Sequence, residues 1–143
     1  MRQRSIKEAQ RELREEFDFF ETGRDKIEYI IELGQKLPKL EDQDKTEDAK
    51  VRGCQSQVWM HADYNEARDE LCFRADSDAI IVRGLIALLM KIYDGAHPAE
   101  ILEHPLTLFD EIGLGKLLTP GRANGLYAMV TRIKAYAAKN SAA

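Results

Sequence analysis

The chain has 143 residues, a length that favours one domain with a single hydrophobic core. Hydrophobic residues make up 44% of the chain and charged residues 32%, and the formal net charge is −4. Because proteins that bind phosphate backbones need a basic face, this acidic balance argues against nucleic acid as the main partner.

No segment of the sequence has the pattern of a secretion signal or of a membrane span. Residues 1–16 carry charges of both signs and lack the apolar core of a signal peptide. The most apolar stretch, 79–90, contains Arg83 and is shorter than the roughly 20 residues that cross a bilayer. We therefore expect a cytoplasmic protein, and in that reducing compartment Cys54 and Cys72 are expected to be free thiols.

Two amphipathic helices are predicted in the first quarter of the chain. Apolar residues at helical spacing among charged neighbours predict the first helix; they are Ile6, Ala9, Leu13, Phe17 and Phe20. A second helix is predicted from about Asp25 to Gly34, because Pro38 follows and cannot continue it. The strongly polar residues 41–50 then predict a surface loop.

Alternation of apolar and polar side chains predicts a β-hairpin after this loop. The alternation extends over 57–64 and again over 71–76, and turn-forming residues lie between the two runs. A further short strand near 50–52 is predicted to pair beside the hairpin. The sheet is therefore expected to have about three antiparallel strands.

The rest of the chain is predicted to be helical. Ser77 is predicted to cap an apolar helix that extends to about Tyr93, and the carboxylates of Asp76 and Asp78 are interpreted as helix-capping groups. Two short helices are predicted over 98–103 and 106–112. Proline fits the first helical turn after a threonine cap, so the last helix is predicted to begin at the pair Thr119-Pro120. The predicted class is α+β, a small antiparallel sheet packed against helices.

Cys54 is the candidate for chemistry. It follows Gly53, which permits close approach of a second chain, and the polar side chains of Gln55 and Ser56 can hydrogen-bond an anionic sulfur. A thiolate attacks a sulfur–sulfur bond at a rate set by its ionised fraction and its accessibility, so a polar cysteine loop suits sulfur exchange. The residues alone are equally compatible with a buried, inert cysteine. The nearest cation in the chain is Arg52.

Other residues that could carry chemistry are interpreted as structural. Cys72, between two apolar residues of a predicted strand, is expected to be a structural thiol. The three histidines lack metal-ligand spacing and are expected at solvated positions; they are His61, His97 and His104. Trp59 is expected to pack rather than to recognise a ligand.

The run Val51-x-Gly53-Cys54-Gln55-Ser56-Gln57-Val58-Trp59 closely resembles the cysteine motif of the SufE family. Further blocks follow the family's order; they lie at 29–38, 75–87, 118–122 and 124–129. The resemblance implies one SufE-like domain over residues 1–143, with 1–16 as a charged helical extension. It also implies the fold that this family shares with the IscU-like iron–sulfur scaffolds.

The function that the resemblance implies is that of a sulfur acceptor. A pyridoxal-phosphate cysteine desulfurase of the SufS or CsdA type would present a persulfide, and Cys54 would take its outer sulfur. A downstream iron–sulfur scaffold, such as a SufBCD-like complex, would receive that sulfur. The protein would stimulate the desulfurase without being a stand-alone enzyme, and would need no metal or cofactor. Arg122 matches the family's C-terminal motif and is expected to hold an anionic group; the alternative is a solvated surface arginine.

Three alternative functions stay open at this point. A thiol redox enzyme would form a sulfenic acid on Cys54, as in peroxide or sulfoxide reduction, and would use Cys72 to resolve it. An iron–sulfur scaffold would need about three cysteine ligands, and the chain has two. A binding module would leave Cys54 inert towards alkylating reagents.

Overall fold

The α+β class is confirmed by a computed structural model, which describes residues 5–141. In this part of the chain a β-hairpin is followed by a long apolar helix and framed by further helices. The elements are α1 (Ile6–Phe17), α2 (Gly23–Gln35), β1 (Val58–Asn65), β2 (Glu70–Ser77), α3 (Ile80–Tyr93), α4 (Pro98–Glu103), α5 (Leu108–Glu111), α6 (Leu114–Leu117) and α7 (Pro120–Ser141).

Side-chain caps set the beginnings of the first two helices. The hydroxyl of Ser5 accepts a hydrogen bond from the Glu8 N–H at 3.1 Å, and α1 follows it. The hydroxyl of Thr22 accepts from the Asp25 N–H at 3.1 Å, so α2 begins two residues before its predicted start. The apolar face of α1 is fully buried in the core, from Ile6 at 0% exposure to Phe17 at 1%. The predicted charged extension thus includes a helix that is part of the core.

The sheet has two strands in the described residues, so the prediction of about three strands was wrong. The strands pair antiparallel, from Val58 opposite Ser77 to Asn65 opposite Glu70. The segment predicted as a third strand does lie beside β1, but it pairs only through a single bridge between Lys50 and Trp59. Pairing stops there because the chain turns at residues 52–53 towards the cysteine loop.

The beginning of α3 also differs from the prediction. Ser77 is the last residue of β2, held extended by its pairing with Val58, and α3 begins only at Ile80. The two carboxylates interpreted as caps make tertiary contacts instead. Asp76 is buried, accepts hydrogen bonds from the Leu40 and Ser77 N–H groups, and pairs with the Arg83 guanidinium; Asp78 accepts from the Gln57 N–H at 3.0 Å. Strand pairing and these long-range bonds therefore outweigh the local capping preference.

Close backbone packing brings α2 against α3. A Cβ on Gly84 would overlap the carbonyl of Ile30, and a Cβ on Gly34 would overlap the backbone of α3. Trp59 packs with Leu40 and Ala49 in a small separate cluster, which confirms its predicted packing role.

The last helix begins as predicted. The hydroxyl of Thr119 accepts a hydrogen bond from the Arg122 N–H at 3.4 Å, and Pro120 is the first helical residue. One face of α7 is buried; it consists of Gly125, Leu126, Met129, Val130, Ile133 and Ala137. Among the described helices, none is both long enough and apolar enough to cross a membrane.

Candidate functional site

Cys54 lies on a loop that is closed at its base. The N–H of Val51 donates to the carbonyl of Val58 at 2.9 Å, and the segment between them forms the loop. Gly53 has a φ of +91°, a backbone conformation that side-chain-bearing residues rarely adopt. A Cβ there would also lie 3.4 Å from the Cβ of Ala128 on α7. Glycine at position 53 therefore allows the sharp turn that presses the cysteine loop onto α7.

Two glycines of α7 receive the loop. The Cys54 thiol donates a hydrogen bond to the Gly125 carbonyl, with sulfur and oxygen 3.6 Å apart. A Cβ added to Gly125 would lie 3.4 Å from the sulfur, at the edge of van der Waals contact. One turn earlier, a Cβ on Gly121 would overlap the side chain of Gln55. The loop thus rests on a strip of helix surface that has no side chains.

The thiol faces a narrow crevice between this loop and the helices α3 and α7. The volume of the crevice is about 10 Å³, roughly the room of one water molecule. Its apolar wall is formed by Val82, Leu85, Leu126 and Met129, and its polar rim by Gln55, Ser56 and Arg122. Cys54 is half-buried there, and burial raises the pKa of its thiol above the ordinary value. At neutral pH the resting sulfur is consequently protonated.

A shallow depression gives access to the same loop. It has a volume of about 280 Å³ and is lined by residues 50–58, including Cys54. The far end of the loop is anchored by Asp78, whose carboxylate accepts the Gln57 N–H, while the Asp78 N–H donates to the Gln57 carbonyl at 3.3 Å. The cysteine is thus shielded on one side and reachable on the other.

The predicted site residues are only partly brought together. Gln55, Ser56 and Arg122 line the crevice with Cys54. Arg122 is exposed in the first turn of α7 and makes no ion pair with any residue that the structure describes. Arg52, whose side chain is 81% exposed, is directed to the carboxylate of Glu47 at 3.7 Å. Of the two arginines, Arg122 borders the thiol crevice, whereas Arg52 lies in the lining of the open depression.

Arg132 supports the site and was not identified from the sequence. Its guanidinium donates to the carbonyls of Lys50 at 2.5 Å and Asp48 at 2.7 Å, directly before the cysteine loop. It also lies over the ring of Tyr136, 5.6 Å from the ring centre. Neither spacing nor motif distinguishes this arginine from the other cations of α7. For Gly125 a signal existed, because this glycine lies in one of the family-like blocks.

The second cysteine lies on the outer face of the hairpin. Cys72 lies on β2 opposite Asp63, and its side chain is exposed rather than packed in the core. This position agrees with the predicted alternation, which places Cys72 and Arg74 on the same outer face of the strand, and the structural role of Cys72 stays a prediction. Within residues 5–141, no group of three or more histidine, cysteine, aspartate or glutamate side chains is placed to hold a metal ion.

Fold and site together define a small α+β protein that presents one half-buried thiol on a helix-backed loop. A family model described as "SufE: Fe-S metabolism associated domain" matches residues 11–137. An uncharacterized SufE-like protein of Rhizobium meliloti (strain 1021) is 41% identical over 126 residues, which cover 86% of this chain and 90% of that protein. A SufE-like protein of Rhizobium etli is 39% identical over 132 residues, covering 90% of this chain and 89% of the relative.

The chain belongs to the SufE family, which is associated with iron–sulfur metabolism. This membership confirms the resemblance seen in the cysteine motif. A solved structure shares the fold: the solution structure of a hypothetical protein from Thermus thermophilus superposes with a TM-score of 0.75. The two chains are 24% identical, and the match covers 93% of this chain and 96% of the other.

Proposed function

We propose that Cys54 accepts sulfane sulfur from the persulfide of a cysteine desulfurase and carries it to iron–sulfur cluster assembly. The observation that carries this proposal is the position of the thiol, half-buried on a loop that also lines an open depression. A carrier needs both properties, because the sulfur must be reachable by a partner and shielded from other reactants between the two transfers.

The proposed step is an exchange at sulfur with no net oxidation. The Cys54 sulfur attacks the outer sulfur of the desulfurase persulfide and forms a new sulfur–sulfur bond. The bond between that outer sulfur and the desulfurase cysteine breaks, and the electron pair leaves with the desulfurase sulfur. The proton of the Cys54 thiol goes to this leaving thiolate. The products are a Cys54 persulfide and a free desulfurase thiol, ready for another turnover.

The resting geometry supports a thiol that becomes nucleophilic only when its loop moves. Burial raises the pKa of Cys54, so little thiolate exists at neutral pH. The hydrogen bond from the thiol to the Gly125 carbonyl further favours the protonated form, since a carbonyl cannot donate to a thiolate. Docking of the desulfurase would shift the loop out of the crevice and expose the sulfur, which restores its reactivity.

Arg122 is the proposed contact for negative charge at the site. It is exposed at the rim of the crevice, in the first turn of α7, where the helix dipole also favours anions. Gln55 and Ser56 provide the neutral polar part of this rim. The proposed Arg122 partner is either the sulfur anion of the persulfide or an acidic group of the desulfurase.

Arg122→Ala is expected to slow sulfur transfer several-fold while the thermal midpoint stays unchanged, because the side chain is exposed and forms no ion pair within residues 5–141. The measurement is a single-turnover transfer assay beside a thermal melt. Arg24→Ala, a similarly exposed arginine of α2, is the control and should transfer at the wild-type rate. Unfolding of the Arg122 variant would instead indicate a structural role.

The proposed partners are a SufS- or CsdA-type desulfurase and a SufBCD-like scaffold, both acting with this protein in the cytoplasm. The protein itself would supply only the thiol and its surroundings.

The geometry does not favour the redox alternative. Cys72 is paired with Asp63, and five residues of strand, about 17 Å, separate Asp63 from the Val58 end near Cys54. A sulfenic acid on Cys54 would have no resolving thiol within reach.

The proposal is tested by incubating the protein with a cysteine desulfurase and free cysteine and recording its intact mass without reductant. The expected result is one added sulfur that reductant removes, present in Cys72→Ser and missing in Cys54→Ser. An unchanged mass with SufS- and CsdA-type desulfurases, together with an oxygen adduct on Cys54 after peroxide treatment, would contradict the sulfur-carrier function and favour the redox enzyme.

A further inference from the structure

A groove beside α1 combines three cations on one helix face. Its volume is about 530 Å³, and its lining includes Lys7, Arg11 and Arg14 from α1 and His104 and Pro105 from the segment after α4. This groove shares no lining residue with the Cys54 crevice. It lies in a chain whose formal net charge is −4, so its positive charge is local and opposite to that of the whole protein.

The charges of α1 are sorted by sign around the helix. At about 100° per residue, Lys7, Arg11 and Arg14 fall within an arc of about 60°. The acidic residues of the helix fall on a separate arc of about 100°; they are Glu8, Glu12, Glu15 and Glu16. Evenly mixed charges would be sufficient for a solvated surface helix, so this separation needs a further reason. The cationic arc is the one that borders the groove.

Hydrogen bonds from one buried side chain form the floor of the groove. Gln10 is 7% exposed, and its amide nitrogen donates to the Pro105 carbonyl at 3.1 Å. Its amide oxygen accepts from the N–H groups of Thr107 at 2.9 Å and Leu108 at 3.0 Å. This side chain fixes the segment after α4 against α1, so the two walls of the groove hold their separation without a ligand.

Most of the positive charge in the groove is uncompensated. Among residues 5–141, Lys7 and Arg11 have no ion-pair partner. The single carboxylate in the lining, Glu111, pairs with Arg14 at 3.2 Å and accepts a hydrogen bond from the Thr107 hydroxyl. An incoming ligand with several negative charges would therefore find two free cations and a third that can exchange partners.

We infer that this groove binds an extended acidic segment of a partner protein. Lys7 and Arg11 are separated by about 6 Å along the helix axis, and Lys7 and Arg14 by about 10 Å. An extended peptide presents alternate side chains on one face about 7 Å apart, so two neighbouring carboxylates on that face approach the spacing of Lys7 and Arg11. A small phosphate ligand fits less well, because the N–H groups of Thr107 and Leu108 are already bonded to Gln10.

The test is a titration of the full-length ¹⁵N-labelled protein with a hexaglutamate peptide at low salt, about 50 mM, followed by NMR. The expected result is saturable amide shifts confined to α1 and the segment after α4. The variant Lys7→Gln/Arg11→Gln/Arg14→Gln should weaken binding about tenfold. Arg24→Gln/Lys134→Gln/Lys139→Gln, which removes equal charge from exposed positions elsewhere, should bind as the wild type does.

Three results would overturn the inference. They are equal weakening by both triple variants, peptide-induced shifts centred elsewhere, and inorganic pyrophosphate binding as tightly as hexaglutamate. If loss of the Arg14–Glu111 pair unfolds the first variant, Lys7→Gln/Arg11→Gln keeps that pair and should still weaken binding several-fold. Wild-type affinity for hexaglutamate in this double variant would also contradict the proposed binding site.

Discussion

The two cysteines of this chain differ in exposure, and the one proposed as the sulfur acceptor is the less exposed of the two. Cys72 is exposed on the outer face of β2, whereas Cys54 is half-buried against α7. Burial is the largest cause that raises the pKa of each thiol, but for Cys72 the carboxylates of Asp94, Glu70 and Asp63 raise the pKa further. The pKa of Cys54 is raised by burial, and movement of its loop would remove that burial.

Serine substitution of each cysteine should show the largest difference in function between the two thiols. Cys54→Ser is expected to abolish stimulation of the desulfurase, because the proposed covalent carrier is lost, while Cys72→Ser keeps most of it. The measurement is the rate of alanine formation from cysteine at saturating acceptor protein. Equal losses in both variants would refute a mechanism that uses one cysteine.

Gly121 and Gly125, on which the cysteine loop rests, allow a second test of the difference between the two thiols. Gly125→Leu should push Cys54 out of its crevice, since even a Cβ at this position reaches 3.4 Å from the sulfur. Alkylation of Cys54 by iodoacetamide should become about tenfold faster, which corresponds to about 1.4 kcal/mol of loop destabilisation. The urea midpoint of the variant reports any general loosening, which the already exposed Cys72 would not detect.

The matched control is Gly115→Leu, because a Cβ on Gly115 meets no atom within 4 Å. This variant should leave both alkylation rates unchanged. If Gly125→Leu also leaves the Cys54 rate unchanged, the crevice does not limit access to the thiol.

Removal of the Arg132 guanidinium should loosen the cysteine loop and leave the Cys72 strand unaffected. Arg132→Met deletes the bonds to the Lys50 and Asp48 carbonyls, with an expected loss of about 1–2 kcal/mol in the free energy of unfolding. Urea denaturation measures this loss, and amide exchange at Val51 should accelerate more than exchange at Leu71 on the Cys72 strand, whose N–H donates to the Ala96 carbonyl. Lys134→Met is the control, and equal exchange effects at both amides would show only global destabilisation.

The smallest expected effect is a difference in how salt changes the two thiol titrations. Because the pKa of each thiol is raised, alkylation should rise with pH along curves displaced to higher pH than in the urea-unfolded chain. Added salt screens the carboxylates around Cys72 and should lower its midpoint by a few tenths of a pH unit. The Cys54 midpoint should not move, since burial alone raises it. A shift of equal size at both thiols would contradict this assignment of causes.

The same raised pKa values set the direction of a stability effect. A buried thiol ionises more readily in the unfolded chain, so the contribution of Cys54 to stability is complete below the unfolded pKa and is lost as pH rises through the folded pKa.

Local patterns were sufficient to predict most elements of the fold. Helical spacing located α1, alternation located both strands of the hairpin, and the Thr119-Pro120 pair located the start of α7. The failures occurred where a long-range bond competes with a local preference. Ser77 has a good capping side chain, yet pairing with Val58 keeps it in the strand, and Asp78 bonds to Gln57 instead of the helix end.

The sequence by itself determined the family, the α+β class and the candidate thiol, because these depend on residue types at short spacing along the chain. Tertiary structure decided the setting of that thiol, since its crevice needs α3 and α7 side by side and two glycines of α7 under the loop. It also decided that Arg122 rather than Arg52 lies at the crevice. The Arg132 guanidinium bonds to the backbone directly before the cysteine loop, which is likewise a tertiary contact. Such contacts join residues up to 84 positions apart, and no local pattern encodes them.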